Sequence, residues 1–110
     1  MAKRTLTFDL DVDAGKARGI CVEAFRELGW SIAGEGGGGA IRADEDLGAL
    51  HCHCPPAQAV AAFSDGETGT RVELEVKVPA WGIVSSHQVR DRSALIARRI
   101  AATAARRGDR

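Results

Sequence analysis

The sequence predicts an α+β fold in which an antiparallel sheet of four to six strands carries two helices on one face, in the order β-α-β(n)-α. Residues 5–12 and Thr70–Val78 alternate strictly between apolar and polar side chains. Such alternation is typical of strands with one face on a core and one in water, and these strands usually pair antiparallel. Two other stretches repeat apolar residues at helical spacing, one after the first strand and one near the end of the chain.

The first helix is predicted directly after the first strand. Asp13 stands where an N-cap residue is expected, and Gly29 follows the last turn in the position at which glycine ends helices. Between them, apolar side chains repeat at helical spacing and form one stripe. The stripe consists of Ala17, Ile20, Cys21, Ala24, Phe25 and Leu28.

The middle of the chain is predicted to hold four short strands. The glycine run at residues 36–39 suits a turn between the first two, and residues 64–69 form a turn into Thr70–Val78. Pro55 and Pro56 cannot continue a central ladder, so they mark an edge, a bulge or a turn. The four strands are expected at residues 30–33, 40–44, 50–54 and 60–63, the last being the weakest pattern.

The last helix is predicted to begin at Ser85, with Gln88 three residues later at the spacing of a capping box. Its inner stripe stops at residue 103, so we expect packing to end near Ala104 and a basic tail to fray from about residue 105. The stripe consists of Val89, Ser93, Ile96, Ile100 and Thr103.

Length and composition indicate one globular domain spanning residues 1–110, with 45% apolar and 27% charged residues. The three cysteines are an odd count, which argues against a disulfide framework. No apolar run resembles a signal peptide or a membrane span, so we expect a cytoplasmic protein with no membrane partner. Aromatic residues make up only 5% of the chain, which makes stacking on nucleic-acid bases an unexpected function.

The net charge of zero hides an uneven distribution. Residues 90–110 contain seven arginines against Asp91 and Asp109, so this segment carries +5 and the remainder −5. One hypothesis is that the last helix binds an anion or nucleic acid through its arginines, whereas the simpler interpretation is a solvated helix surface. The arginines of that hypothesis are Arg92, Arg98, Arg99 and Arg106.

A run of potential metal ligands, H-C-H-C, occupies residues 51–54 and carries the second functional hypothesis, a metal or redox site. On a strand the two histidines point to one face and the two cysteines to the other, so one tetrahedral ion cannot collect all four. A metal would need further ligands, and Cys21 and His87 are the other cysteine and histidine of the chain. The simpler interpretation is a pair of core cysteines and a pair of exposed histidines. The run is His51, Cys52, His53 and Cys54.

Trp81 and Gly82 lie in a predicted loop just after the strongest strand, and loop aromatics often line binding clefts. We expect these two residues, with Trp30, to contact a ligand, whereas the simpler interpretation of Trp81 is a cover over the edge of the core. We assign no catalytic residue and no cofactor, because patterns similar to a calcium loop, a dinucleotide fingerprint and a nucleophilic triad fail on spacing or context. Catalytic groups that converge only in three dimensions leave no such pattern.

Four stretches carry a family resemblance: F-R-E-L-G-W-S-I at the end of the first helix, the glycine turn into A-I-R-A, the strand G-T-R-V-E-L-E-V, and the arginine-rich last helix. Together they resemble small bacterial domains of unknown function with a TATA-binding-protein-like or helix-grip arrangement. The resemblance implies a curved antiparallel sheet that holds helices, and it implies no functional residues. The longer lipid-binding helix-grip proteins are related, but this chain is short for their large cavity.

From these patterns we predict a non-enzymatic binding or assembly module. Its ligand, a small molecule or a protein, would lie in the cleft between the last helix and the sheet, or on the open face of the sheet. A homo-oligomer formed through a sheet face or edge also fits the pattern, because small sheets must protect their edges.

Overall fold

The computed structural model describes residues 2–35, 39–45, 56–78 and 83–108, which form five strands and two helices. This arrangement confirms the predicted α+β fold. In chain order the elements are β1 (Ala2–Leu10), α1 (Ala14–Glu27), β2 (Ser31–Glu35), β3 (Ile41–Asp44), β4 (Gln58–Asp65), β5 (Thr70–Val78) and α2 (Ile83–Gly108).

The five strands form one sheet in the order β1-β5-β4-β3-β2, and every neighbouring pair is antiparallel. β1 pairs with β5 over its whole length, from Ala2 opposite Val78 to Leu10 opposite Thr70. Both helices pack on the same face of this sheet: α1 contacts β2, β3, β4 and β5, while α2 contacts β1 and β5. The helices also contact each other, so the molecule has two layers.

On the inner face of the sheet, the buried side chains of β4 are smaller than those of β5. Beneath α1, strands β4 and β3 contribute buried alanines, and their small size leaves space for the larger Ile20 and Phe25 of α1. On β5, which both helices contact, the buried side chains are larger, and Leu74 is fully buried. The buried alanines of β3 and β4 and of the residue before β4 are Ala43, Ala57, Ala59 and Ala61.

Both ends of α1 follow the sequence prediction. The Asp13 carboxylate accepts a hydrogen bond from the Lys16 backbone N–H at 2.8 Å, which makes Asp13 the N-cap. Gly29 adopts a φ of 82°, and Trp30 N–H donates to the Phe25 carbonyl at 2.9 Å. With the Gly29 N–H to Arg26 carbonyl bond of 3.0 Å, this is a Schellman motif.

The structure changes the predicted bounds of several elements, and β2 covers Ser31–Glu35 rather than residues 30–33. β1 covers residues 2–10 rather than 5–12, and β4 runs from Gln58 to Asp65 rather than over 60–63. The pattern of β4 was weak because its buried positions are alanines, which have low strand propensity.

α2 begins at Ile83, so Ser85 lies inside the helix and the predicted capping box was wrong. The β-branched pair Ile83-Val84 disguised the helix start, because such residues favour strands. The strand predicted at residues 50–54 lies outside the described residues.

The α2 helix continues to Gly108, past residue 105 where we expected fraying to begin. Its predicted inner stripe is confirmed, because all five of its side chains are buried. Beyond the stripe, Arg106 and Arg107 contact carboxylates of α1, which explains how the last turn is held in place.

The turn between β4 and β5 packs backbone against backbone on the segment that joins β1 to α1. Thr70 Oγ1 donates to the Val12 carbonyl at 2.8 Å, and this threonine is buried. A Cβ atom added to Gly69 would overlap the Leu10 carbonyl oxygen and lie 2.8 Å from Val12 N. Glycine at residue 69 is therefore required by the close approach of two backbone segments.

We expect Gly69→Ala to lower the free energy of unfolding by about 3 kcal/mol, because the added methyl group meets backbone atoms that cannot rotate away. The matched control is Gly15→Ala in the first turn of α1, where the nearest atom to the new Cβ would be Asp13 Oδ1 at 3.4 Å. That control should be neutral or stabilise by about 0.5 kcal/mol. Urea denaturation of the two variants measures both, and equal stabilities would contradict the proposed close packing.

Candidate functional site

At one end of the sheet, the described residues border the segments that contain the sequence-predicted ligand and metal residues. Asp44, Gln58 and Lys77 lie beside one another in the ladder, as do Ser31 and Asp44, so β2 and β4 begin where β3 and β5 end. The segment that contains the H-C-H-C run leaves from this end of β3 and returns to β4 there. The segment that contains Trp81 and Gly82 leaves from this end of β5 and leads to α2. We call it the Glu45 end of the sheet; residues 51–54 and 81–82 themselves lie outside the described residues.

Glu45 joins the sheet to α2 at this end. Its backbone N–H donates to the Ala57 carbonyl at 2.9 Å, and its Oε1 atom accepts from the Ala57 N–H at 3.2 Å. Its Oε2 atom accepts from Arg92 Nε at 2.7 Å. Both side chains are largely withdrawn from water, with 12% of Glu45 and 27% of Arg92 exposed. One carboxylate therefore binds the start of β4 with one oxygen and the third turn of α2 with the other.

Because this ion pair is largely removed from water, its two charges have lost part of their hydration, which an exposed pair would keep. Desolvation of both charges offsets much of their attraction, so removal of one partner leaves the other in an unfavourable position. Neighbouring Asp44 adds a second polar feature, since its Oδ1 atom is buried and has no hydrogen-bond partner among the residues that the structure describes. The Glu45 end thus brings together several polar groups that are largely withdrawn from water, and fixed polar groups of this kind orient ligands in binding sites.

Sequence reasoning missed Glu45 as a functional residue, although a signal was present. Residues 44–46 read D-E-D, an acidic run at the end of a strand, and Arg92 lies at the border of the inner stripe of α2. Their pairing depends on how β3 and α2 meet in space, which no spacing in the sequence specifies. Arg92 was named from the sequence for anion binding, and in the structure its guanidinium contacts Glu45.

Trp30 occupies a core position at the Glu45 end. Only 5% of it is exposed, and its ring centroid lies 5.8 Å from that of Phe25 with the planes tilted by 38°. This contact is the hydrophobic part of the Schellman motif, which brings the residue after Gly29 back over the last turn of α1. A ligand contact by Trp30 stays a prediction, and it would use the small exposed edge of the indole.

The structure reduces the number of residues that could supply a further ligand to a metal at residues 51–54. Cys21 is fully buried on the inner face of α1, and burial raises the pKa of its thiol to about 12. Because metals bind the thiolate, Cys21 is a poor candidate for a further ligand. Among the residues that the structure describes, no group of three or more His, Cys, Asp or Glu side chains is placed to hold a metal. The metal hypothesis stays a prediction that rests on the H-C-H-C run.

The other arginines of the anion-binding hypothesis have different surroundings. Arg106 Nη2 lies 2.7 Å from Glu27 Oε1 and 3.1 Å from Glu23 Oε2, and Arg99 Nη1 lies 3.5 Å from Glu27 Oε2. Arg98 is exposed and forms no ion pair within the described part of the chain. An anion at Arg99 or Arg106 would therefore compete with carboxylates of α1, and anion binding by these residues stays a prediction.

The ion pairs between α1 and α2 lie beside an open groove of about 690 Å³. Arg107 runs along it, since a Cβ added to Gly19 would lie 3.1 Å from Arg107 Nη1. Both arginines and glutamates line the groove, so its surface has no single sign of charge that would attract an ion. Its lining residues are Arg18, Gly19, Val22, Glu23, Arg26, Glu27 and Arg107.

The comparisons with known proteins establish a likeness of fold. No family model matches the chain, and no curated protein matches it. Among solved structures, the chain is similar to the crystal structure of Ara h 8.0201 with a TM-score of 0.54 and 10% sequence identity. The similarity covers 93% of this chain and 96% of that one. At this identity the likeness shows a shared β-α-β arrangement and no more, and it lends no support to a TATA-binding-protein-like arrangement. Neither helix of the described chain is both long and apolar enough to cross a membrane.

We expect Arg92→Met to lower the free energy of unfolding by about 1–3 kcal/mol, because Glu45 would remain half-buried without its cation. The matched control is Arg90→Met, two residues away on the same helix, where the arginine is exposed. That control should change stability by less than about 0.5 kcal/mol. Guanidinium denaturation of both variants tests the contribution of the pair, and similar losses in the two would show that Glu45 is satisfied by other groups.

Protonation of Glu27 should weaken the contact between the helices. The hydrogen bond from Arg106 is the largest cause that holds the pKa of this carboxyl below its ordinary value of 4.5. Because the folded pKa is lowered, the stabilisation is present above the unfolded pKa and is lost as the pH falls through the folded pKa. Glu27→Gln should therefore lower Tm at neutral pH, and the difference from the wild type should shrink at pH values below 4.5.

Thermal denaturation followed by circular dichroism at each pH measures this difference. Glu73→Gln on the outer face of the sheet, an exposed carboxylate without an ion pair in the described chain, serves as the control. A Tm difference for Glu27→Gln that stays constant down to strongly acidic pH would show that its charge is not the source of the stabilisation.

Proposed function

We propose that this chain is a non-enzymatic binding module with a helix-grip-like arrangement, which takes a small organic ligand between α2 and the sheet through the Glu45 end. The observation that carries the proposal is the Glu45–Arg92 pair, with side chains 12% and 27% exposed at the junction of the helix and the sheet. Ligand sites are mostly apolar with a few fixed polar groups, and this pair supplies such groups beside the core.

The way in which the two ends of the molecule are closed supports the choice of the Glu45 end. At the opposite end, Gly69 and Thr70 pack directly on the backbone of residues 10–12, and Arg18 Nε donates to the Gly39 carbonyl at 3.2 Å. At the Glu45 end, the contact between α2 and the sheet that we describe is made by side chains. Side chains change rotamer without disturbing the strand ladder, so this end is the one at which a ligand can enter at low cost.

The surroundings of the pair suit an amphipathic organic molecule. Near the Glu45 end of the sheet, the apolar side chains of Ile32 and Ala2 are only half-buried. Arg92 could direct its remaining guanidinium N–H groups to an acidic or carbonyl oxygen of the ligand. Trp81 and Gly82, in the segment that leads from β5 to α2, are the ligand-contacting residues expected from the sequence.

The first experiment is native mass spectrometry of untagged protein taken gently from its source cells. A mass excess that matches an organic compound supports the proposal. An excess that matches zinc or copper would instead support the site at residues 51–54, and a bare protein would contradict a tightly held ligand.

A second experiment uses anilinonaphthalene sulfonate, whose apolar rings and single negative charge match a cleft that contains Arg92. We expect saturable binding to the folded protein, with Trp81→Ala weakening it about fivefold to tenfold because one aromatic contact is lost. Val60→Ala on the outer face of the sheet is the control and should leave binding unchanged. Equal effects of the two substitutions would place the dye elsewhere and contradict the cleft.

A further inference from the structure

The outward face of α2 is exposed along most of the helix, although α2 lies between β1, β5 and α1. The residues of this face recur every three or four positions and so form one continuous strip. Leu95 lies near its middle and is 38% exposed, which makes it the most exposed large hydrophobic side chain among the described residues. The strip consists of Asp91, Ala94, Leu95, Arg98, Ala101, Ala102 and Ala105.

Two opposite charges on this strip have no partner within the described chain. Asp91 and Arg98 are both exposed and form no ion pair there, whereas Arg92, Arg99 and Arg106 each contact a carboxylate. Seven residues separate Asp91 from Arg98, which is two helical turns or about 10 Å along the axis. The acid and the base therefore lie on the same line of the helix, on either side of Leu95.

We propose that the part of this strip from Asp91 to Arg98 binds the same part of a second copy of the chain, with the two α2 helices antiparallel across a twofold axis between Ala94 and Leu95. In this register Asp91 of each copy lies opposite Arg98 of the other. Leu95 lies opposite Ala94 of the other copy, and a twofold axis repeats each contact twice. The proposal concerns the outer surface of α2 and does not depend on a ligand in the cleft.

The charges select this register over its competitors. A parallel pair related by a twofold axis would place Asp91 against Asp91 and Arg98 against Arg98, and like charges in contact are unfavourable. An antiparallel pair centred on Arg98 would bring two guanidinium groups together. The register centred between Ala94 and Leu95 pairs both charges favourably, and exposed Ala102 then lies opposite exposed His87 of the other copy.

The size of the surface predicts a weak dimer. The exposed positions that meet about this axis run from residue 87 to residue 102, which is about 24 Å of helix, and a strip about 10 Å wide there covers roughly 240 Å² on each copy. Stable complexes bury about 800 Å² on each partner. The alanines on both sides of Leu95 allow the helix axes to approach to about 8 Å, which favours packing, but we expect an equilibrium that depends on concentration.

Sedimentation equilibrium over roughly 10 µM to 1 mM tests the proposal, with reversal of charge at each position. Asp91→Arg and Arg98→Asp should each raise the dimer dissociation constant about tenfold, because two attractive contacts become repulsive. The double variant should return it to within about threefold of the wild type, because the pair is restored with its charges exchanged. An equimolar mixture of the two single variants should also associate, since each supplies the charge that the other needs.

Asp11→Arg makes the same charge change at an exposed position in the segment between β1 and α1 and should leave the dissociation constant unchanged. Circular dichroism confirms that each variant is folded. The proposal is overturned if the wild type stays monomeric over the whole concentration range, or if the single variants dimerise as the wild type does. It is also overturned if the double variant fails to recover association.

Discussion

The pairing of the first strand with the last is the contact on which the rest of the structure depends. β1 and β5 form a nine-residue ladder between segments more than fifty residues apart in the chain. Closing so long a loop costs conformational entropy, which the ladder and the burial of the β5 side chains must offset. The pairing places α1, which follows β1, and α2, which follows β5, on the same face of the sheet. Every contact between the helices follows from that placement.

The different sides of α2 contact different parts of the molecule. Its inner stripe, which includes Ile96 and Ile100, is buried against the sheet. On one flank, Arg99 and Arg106 form ion pairs with α1. On another, Arg92 forms an ion pair with Glu45, the residue after β3. The arginine content of this helix is therefore largely explained by carboxylates on neighbouring elements. This distribution also accounts for how residues 90–110 carry +5 while the whole chain is neutral.

Sequence patterns predicted the architecture because most of its determinants are local. Alternation in β5, the cap at Asp13 and the terminal Gly29 each act within a few residues, and each appears in the structure as expected. β4 was predicted less well because its alanine positions carry little strand propensity, and their role depends on the close approach of α1. The Glu45–Arg92 pair could not be predicted, because its partners are 47 residues apart and meet only through the packing of α2 on the sheet.

The two ends of the molecule differ in whether their contacts are made by backbone atoms or by side-chain atoms. At one end, backbone atoms of residues 10–12 pack against Gly69, and opening that contact would require the strands themselves to move. At the Glu45 end, a carboxylate reaches from the sheet to a guanidinium on α2, and either group can turn about its own side-chain bonds. The cost of opening that end is the loss of the attraction between the two charges, and hydration of those charges offsets part of it. A cleft in this fold would therefore open at the Glu45 end, with the Gly69 end acting as the fixed base.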